Sequence, residues 1–180
     1  MAVDLSAIAK WPDVPACYGW LSLDRRGDWR LQGERITHRG LIDFINRQYG
    51  VDASGNWFLQ NGPQRVFVSL AYTPWVFRSD AGRLFSHTGE AAGEALAVWL
   101  DEQCNVLLET PLGIGLLDDR DLADFLSACH DQDGNPAADN LLAGLMEGRE
   151  TGVFWGKIPV RPIRSETVAR RYGFNPAPQP

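Results

Sequence analysis

The phrase G-x-W-x-L-Q occurs twice, twenty-eight residues apart, as GDWRLQ from Gly27 and as GNWFLQ from Gly55. Glycine supplies the φ freedom of a tight turn, and residues two apart on a strand, here Trp29 with Leu31 and Trp57 with Leu59, share one face. Two equivalent turn-and-strand units are therefore expected, with both indoles packed in a common interior and Gln32 and Gln60 towards the edge. A pair of indoles on neighbouring strands can also form an aromatic wall for a flat ligand. The four shared residues are accounted for without one, so scaffolding is the expectation.

The rest of the chain continues in short strands and turns. ACYGWLSLD from Ala16 leads through a turn cluster into Trp29 and Leu31, a candidate hairpin. Thr37 is placed to cap a helix from about His38 to Tyr49, with Leu41, Phe44 and Ile45 on one side and Gly50 after it. RVFVSLAY from Arg65 is β-branched and aromatic, and Pro74 separates it from Trp75, Val76 and Phe77. Residues 95–102 and 106–110 read as a second hairpin around Gln103, Cys104 and Asn105. Leu122, Phe125, Leu126 and Cys129 repeat at helical spacing. Asn135 and Pro136 announce a further helix carrying Leu141, Leu142, Leu145 and Met146. GVFWGKIPVRPIR, interrupted by Pro159 and Pro162, reads as an edge or bulged strand. Ser165 opens a last short helix that stops at Gly173.

Short turns between strands predict an α+β class, mostly antiparallel hairpins with about four short helices and repeated strand-turn units. The organisation expected is an N-terminal lobe over residues 1–88 with the repeated phrase, a second lobe over 89–174, and a flexible tail over 175–180, rich in proline and poor in apolar groups. The break is placed where DAGRLFSHTGEAAG is rich in Gly and Ala and the charge changes sign. Residues 1–79 hold nine Lys/Arg against seven Asp/Glu, residues 80–148 two against fourteen, and residues 149–180 six against two. Charge blocks of this kind are matched within a fold or meet an anionic ligand or acidic partner.

Cys17, Cys104 and Cys129 are odd in number and far apart, without a zinc-ligand spacing or disulfide framework. With no secretion-signal pattern at MAVDLSAIAKWPDVP and no run of roughly 20 apolar residues to cross a bilayer, the expected setting is the cytoplasm, away from membranes.

Catalytic constellations fail on their own terms. There is no G-x-S-x-G elbow, and the only imidazoles are His38, His87 and His130. Cys129 precedes His130, but adjacent helix residues diverge by about 100°, so a buried, inert thiol is expected. GIG at Gly113 lacks the Lys and Ser/Thr of a phosphate loop. DQDGNPAAD from Asp131 places Ala137 and Asn140 where a calcium loop needs ligands. Asp118, Asp119 and Asp121 are the candidates for metal or acid/base work. Their competing reading is as caps of a helix N-terminus, which explains the placement fully. Two arginine groups, residues 25–47 and 161–171, suit solvated faces, and an acidic chain with no nucleic-acid module gives no expectation of nucleic-acid binding. If one pocket is formed, Arg35, His38, Arg39 and Trp75 are its candidates, since guanidinium with aromatic surface suits a small anionic or planar ligand.

Trp29, Gly33 and Ile36, followed by the short helix and then by Gly55, Leu59 and Val66, resemble a family of uncharacterised proteobacterial proteins. That family pairs a W-x-x-x-G-x-x-I element with a G-x-x-x-L-x-x-P-x-x-x-V element. Pro63 stands one residue later than the pattern has it, and VLLETPLGIG from Val106 is similar to the family's second strand set. The resemblance covers Asp24 to Asp121. It implies an α+β fold of repeated small units and a conjectured role in signalling, with no catalytic residue to carry over. The expectation is a non-enzymatic domain without a cofactor that binds a small ligand or a protein partner. The alternative is an enzyme of undescribed type using the Asp118–Asp121 carboxylates, with or without a divalent metal.

Overall fold

The computed structural model describes residues 12–180. Contacts divide the chain into two units, one running to Pro74 and taking in Gly173–Pro180, the other formed by Trp75–Tyr172. In the first unit the strands are β1 (Ala16–Leu23), β2 (Trp29–Leu31), β3 (Glu34–Arg35), β4 (Tyr49–Val51), β5 (Trp57–Asn61) and β6 (Gln64–Leu70). They form one sheet in the order β3-β2-β1-β6-β5-β4, with β1 and β6 parallel and every other pair antiparallel. Helix α1 (Arg39–Gln48) joins β3 to β4 and buries Leu41 and Ile45. Its cap is His38, not Thr37: His38 holds extended backbone while its Nδ1 accepts from the Leu41 N–H at 3.2 Å, satisfying one of the free donors of the first turn.

The repeated phrase is one turn used twice. In Asp24–Asp28, Asp24 Oδ1 accepts the N–H groups of Arg26 and Asp28, each at 2.9 Å; in Asp52–Asn56, Asp52 Oδ1 accepts those of Ser54 and Asn56 at the same distance. The fourth residue, Gly27 or Gly55, takes φ of 77° or 80°, where a side chain is strained. Trp29 is buried, donates its indole N–H to Asn46 Oδ1 at 2.7 Å and stands edge-on to Tyr49 at 5.0 Å. Trp57 tilts against the same ring at 4.7 Å, so the two indoles share an interior centred on Tyr49. Leu59 is buried with them and Leu31 is half-buried. Residues 173–180 are sewn to this unit. The Asn175 N–H donates to the Gly55 carbonyl at 2.9 Å, the Asn175 amide to Asn56 Oδ1 at 2.9 Å, and the Leu70 N–H to the Pro176 carbonyl at 2.8 Å.

The second unit contains β7 (Trp75–Asp80), β8 (Arg83–Ser86), β9 (Ala97–Leu100), β10 (Val106–Thr110), β11 (Gly113–Leu117), β12 (Cys129–His130), β13 (Phe154–Trp155) and β14 (Ile158–Pro162). Its helices are α2 (Leu122–Ala128), entered through a 3-10 turn at Asp119–Asp121, α3 (Asp139–Met146) and α4 (Ser165–Tyr172). The sheet order is β12-β13-β14-β9-β10-β11-β7-β8. Strands β9 to β14 reproduce the order and the pairing senses of β1 to β6, down to the parallel contact of first and last strand. The Asp turn recurs as well. Asp101 Oδ1 accepts from Gln103 and Asn105, and Asp131 Oδ1 from Asp133 and Asn135, all at 2.8–2.9 Å. The hairpin β7–β8, helix α3 between β12 and β13, and helix α4 are what the second unit adds.

Two local readings of the sequence are corrected. Asn135 closes the Asp131 turn and Pro136 bridges to His130, so α3 begins at Asp139 instead. Strand β14 is interior, between β13 and β9, despite its two prolines. The neighbouring residues supply the donors that proline lacks, Val160 to the Val153 carbonyl at 2.8 Å and Ile163 to that of Leu100 at 3.1 Å. The class is α+β, with four helices and two mixed sheets among the described residues. No helix of the described residues is long and apolar enough to cross a membrane.

Candidate functional site

The sequence-derived candidates fall into separate surroundings. Arg35, His38 and Arg39 are exposed between β3 and the start of α1; Arg35 pairs with Asp28 at 2.9 Å and His38 caps the helix. Trp75 belongs to the second unit, where it is buried at the start of β7 with its ring 5.6 Å from that of His87. His87 Nδ1 accepts from the Val76 N–H at 3.3 Å, and burial pulls the imidazole pKa down to about 3, so the ring is neutral at physiological pH.

The carboxylates at the start of α2 are bound up with arginines. Asp118 is fully buried and takes the Arg120 guanidinium on both oxygens at 2.8 and 2.6 Å, as well as the Arg120 N–H at 2.9 Å. Asp121 receives Arg78 at 2.8 and 3.1 Å and the Ser79 N–H at 2.9 Å. Burial alone would raise both carboxyl pKa values, but the guanidinium and N–H donors outweigh it and hold them below the usual carboxylate range. Asp119 is exposed. Among the described residues no group of three or more His, Cys, Asp or Glu side chains is arranged to hold a metal ion. The three cysteines are free thiols, and burial pushes Cys129 up to about 11.

The concave feature of the second unit lies elsewhere, and local sequence pattern did not mark it. A cleft of about 770 Å³ is lined by Arg83 and Leu84 of β8, by Ala91, Gly93, Glu94 and Ala95 after it, by Ala128 and His130, and by Trp155 to Ile158 of the β13–β14 hairpin. A hollow of about 340 Å³ shares Gly82, Leu84, Ala128 and Trp155 with it and continues to Asp121, Asp124 and Phe125. Trp155 thus borders both spaces, packed against Phe125 at 5.4 Å. Small residues dominate the larger cleft because Gly82 and Gly156 sit at turns with positive φ, where a Cβ would meet nothing within 4 Å. The volume falls in the range of small-molecule sites, roughly 300–1,000 Å³.

His130 fixes one wall. Its ring stacks on Phe154 at 5.9 Å, with Nδ1 2.8 Å from the Asp131 carbonyl oxygen and Nε2 2.9 Å from that of Gly156. Carbonyl oxygens only accept, so both bonds exist together when each ring nitrogen carries a proton. The Asp131 bond first, and then the Gly156 bond, raise the His130 pKa above its ordinary value. The clip ties the Asp131 turn to the β13–β14 turn, and protonation of the ring strengthens it.

Comparison with known proteins gives the fold without a ligand. A DUF1285 family protein from Silicibacter pomeroyi DSS-3 superposes with a TM-score of 0.50 at 12% identity, covering 74% of this chain and 81% of its own. A DUF1285 family protein from Shewanella baltica OS155 gives 0.40 at 16% identity over 59% and 89%. The first of these likenesses is to an arrangement of strands and helices and not to a site. Nothing among curated proteins matches. The model of a family described as "Protein of unknown function (DUF2946)" matches residues 2–179, nearly the whole chain and well beyond the 24–121 that the motifs of the sequence span. The chain belongs to that DUF2946 family.

Proposed function

We propose that this chain is a cytoplasmic, non-enzymatic binding domain with a regulatory or signalling role, and that the cleft of the second unit holds its ligand. The observation that carries the reading is the cleft itself: about 770 Å³ bordered by an indole, small residues and a few cations, in a unit where the buried carboxylates Asp118 and Asp121 are engaged by arginines. Ligand sites combine apolar lining with a few convergent polar groups in this way. Free thiols, two of them buried, fit a reducing compartment.

The test uses Nile red, an uncharged planar dye that brightens in apolar surroundings, with the intact protein and an Ala128→Trp variant. Ala128 borders both spaces and is exposed, so the larger ring fills the cleft without entering the core. Saturable brightening with the native chain and its loss in the variant are expected. Equal brightening in both removes the cleft from the reading.

A further inference from the structure

We propose that the cleft takes a planar aromatic carboxylate, its ring lying against Trp155 and its anionic group met by Lys157 and Arg83. The inference rests on the binding reading above and adds the chemical class of the ligand.

Charge is the first support. Residues 80–148 carry fourteen Asp/Glu and only Arg83 and Arg120 as Lys/Arg. Arg120 is committed to Asp118, whereas Arg83 lines the cleft. Lys157 comes to the same lining from the β13–β14 turn, and among the described residues neither it nor Arg83 has a salt-bridge partner. When both its nitrogens donate to carbonyls, His130 adds a third positive charge, against Glu94 as the acid of the larger cleft. The acids Asp121 and Asp124 line the adjoining hollow, so the end beside Lys157 and His130 is the one that attracts an anion. Arg83, whose guanidinium lies over the Phe85 ring at 5.6 Å, and Lys157 thus border the cleft without an ion-pair partner, open to an anion.

Shape is the second support. Gly82, Ala91, Gly93, Ala95 and Gly156 put no bulky side chain into the lining, which leaves Trp155 as its large flat surface. A ring stacked on an indole gains both area and an offset-stacking term. The charge state follows from the same surroundings. Apart from Ala128 at the C-terminal end of α2, the lining comes from hairpins and loops, with no helix N-terminus to receive a phosphate, and the surrounding acids repel a multiply charged anion more strongly than a single carboxylate.

The experiment is calorimetric titration of the full chain with 2-naphthoate and with 2-naphthamide, equal in shape and differing in charge. Naphthoate is expected to bind at least tenfold more tightly. In Arg83→Ala/Lys157→Ala the two compounds are expected to bind alike, while the melting temperature stays as in the native chain, since both cations are exposed. Lys157→Glu is expected to reverse the preference in favour of the amide. Equal binding of acid and amide by the native chain overturns the inference, and a retained Nile red response in that case leaves the cleft as a site for uncharged ligands. A naphthoate preference that survives the double substitution also overturns it, as does displacement of naphthoate by inorganic phosphate at the same concentration.

Discussion

The two units share a six-strand plan, β1 to β6 and β9 to β14, with matching order, pairing senses and Asp turns, and the cleft of about 770 Å³ belongs to the second. The first unit packs Trp29 and Trp57 on Tyr49 and seals its second Asp turn with residues 173–180. In the second, the hairpin β7–β8 and the chain that follows it stand opposite the equivalents of β4 and β5, and the cleft opens between them. Trp155 borders that space, whereas Leu59, at the matching register position of β5, is buried. The repeated plan is common to both units, and the cleft lies where β8 and the chain after it meet one copy of that plan.

The sharpest way to break this comparison is the fourth position of the Asp turn. At Gly55 a Cβ would lie 2.2 Å from the Gly173 carbonyl oxygen, whereas at Gly134, with similar φ of 80° and 84°, it would meet nothing within 4 Å. Gly55→Ala is expected to destabilise by about 4 kcal/mol or to free residues 173–180, and Gly134→Ala by only about 1 kcal/mol of backbone strain. Equal losses in denaturant melts would show that the turn itself, and not the sewn segment, sets the cost.

The first position is next. Asp101 is fully buried and holds the N–H groups of Gln103 and Asn105 with the Asn105 amide, so Asp101→Ala leaves several buried donors unmet and should cost about 3 kcal/mol. Asp52 is half-buried, and Asp52→Ala should cost about 1 kcal/mol. A larger loss at Asp52 would mean that the two turns are not equivalent supports.

Acid should separate the units further. His87, with a pKa of about 3 folded and an ordinary value of 6.5, refuses a proton that the unfolded chain accepts. Its contribution is present above about pH 6.5 and is lost as pH falls towards 3, the loss reaching about 3 kcal/mol at pH 4.5. Asp118 and Asp121, held below the ordinary carboxylate value, add losses only at lower pH, as it falls through their folded values. His130 has the opposite sign: its support is complete below pH 6.5 and goes as pH rises through its elevated value. Amide exchange at pH 4.5 and 7, corrected for intrinsic rates, should find residues 75–172 loosened more than the first unit, and His87→Gln should narrow the gap. Equal loosening would refute the assignment.

The smallest effect is a gain. Cys104 occupies the fourth turn position at φ 63°, where the other three Asp turns carry glycine. Cys104→Gly is expected to stabilise by about 0.5–1 kcal/mol, read as a rise in melting temperature.

The sequence was legible where chemistry is local. Gly27 and Gly55 marked turns, the tryptophans two residues on marked a shared interior, and helical spacing around Leu41 and Phe125 found α1 and α2. The second half of the repeat stayed hidden because Cys104 replaces the telltale glycine and Pro136 stands where a tryptophan would. Strand β14 was read as an edge because a proline's missing donor is visible in sequence while the compensating N–H of Val160 and Ile163 is not. The cleft was illegible for a related reason: residues 82–95, 128–130 and 155–158 share no period, and only the fold gathers them.

The sewing of residues 173–180 onto the turn at Gly55 also sets an order of events during synthesis. Trp75–Tyr172 is an uninterrupted stretch and holds all its own strands as soon as Tyr172 has emerged, whereas the earlier-made unit must wait, with the edge at Asn56 open, for Asn175 to arrive. A chain stalled or clipped at about residue 172 would therefore carry a finished second unit and an unsealed first one.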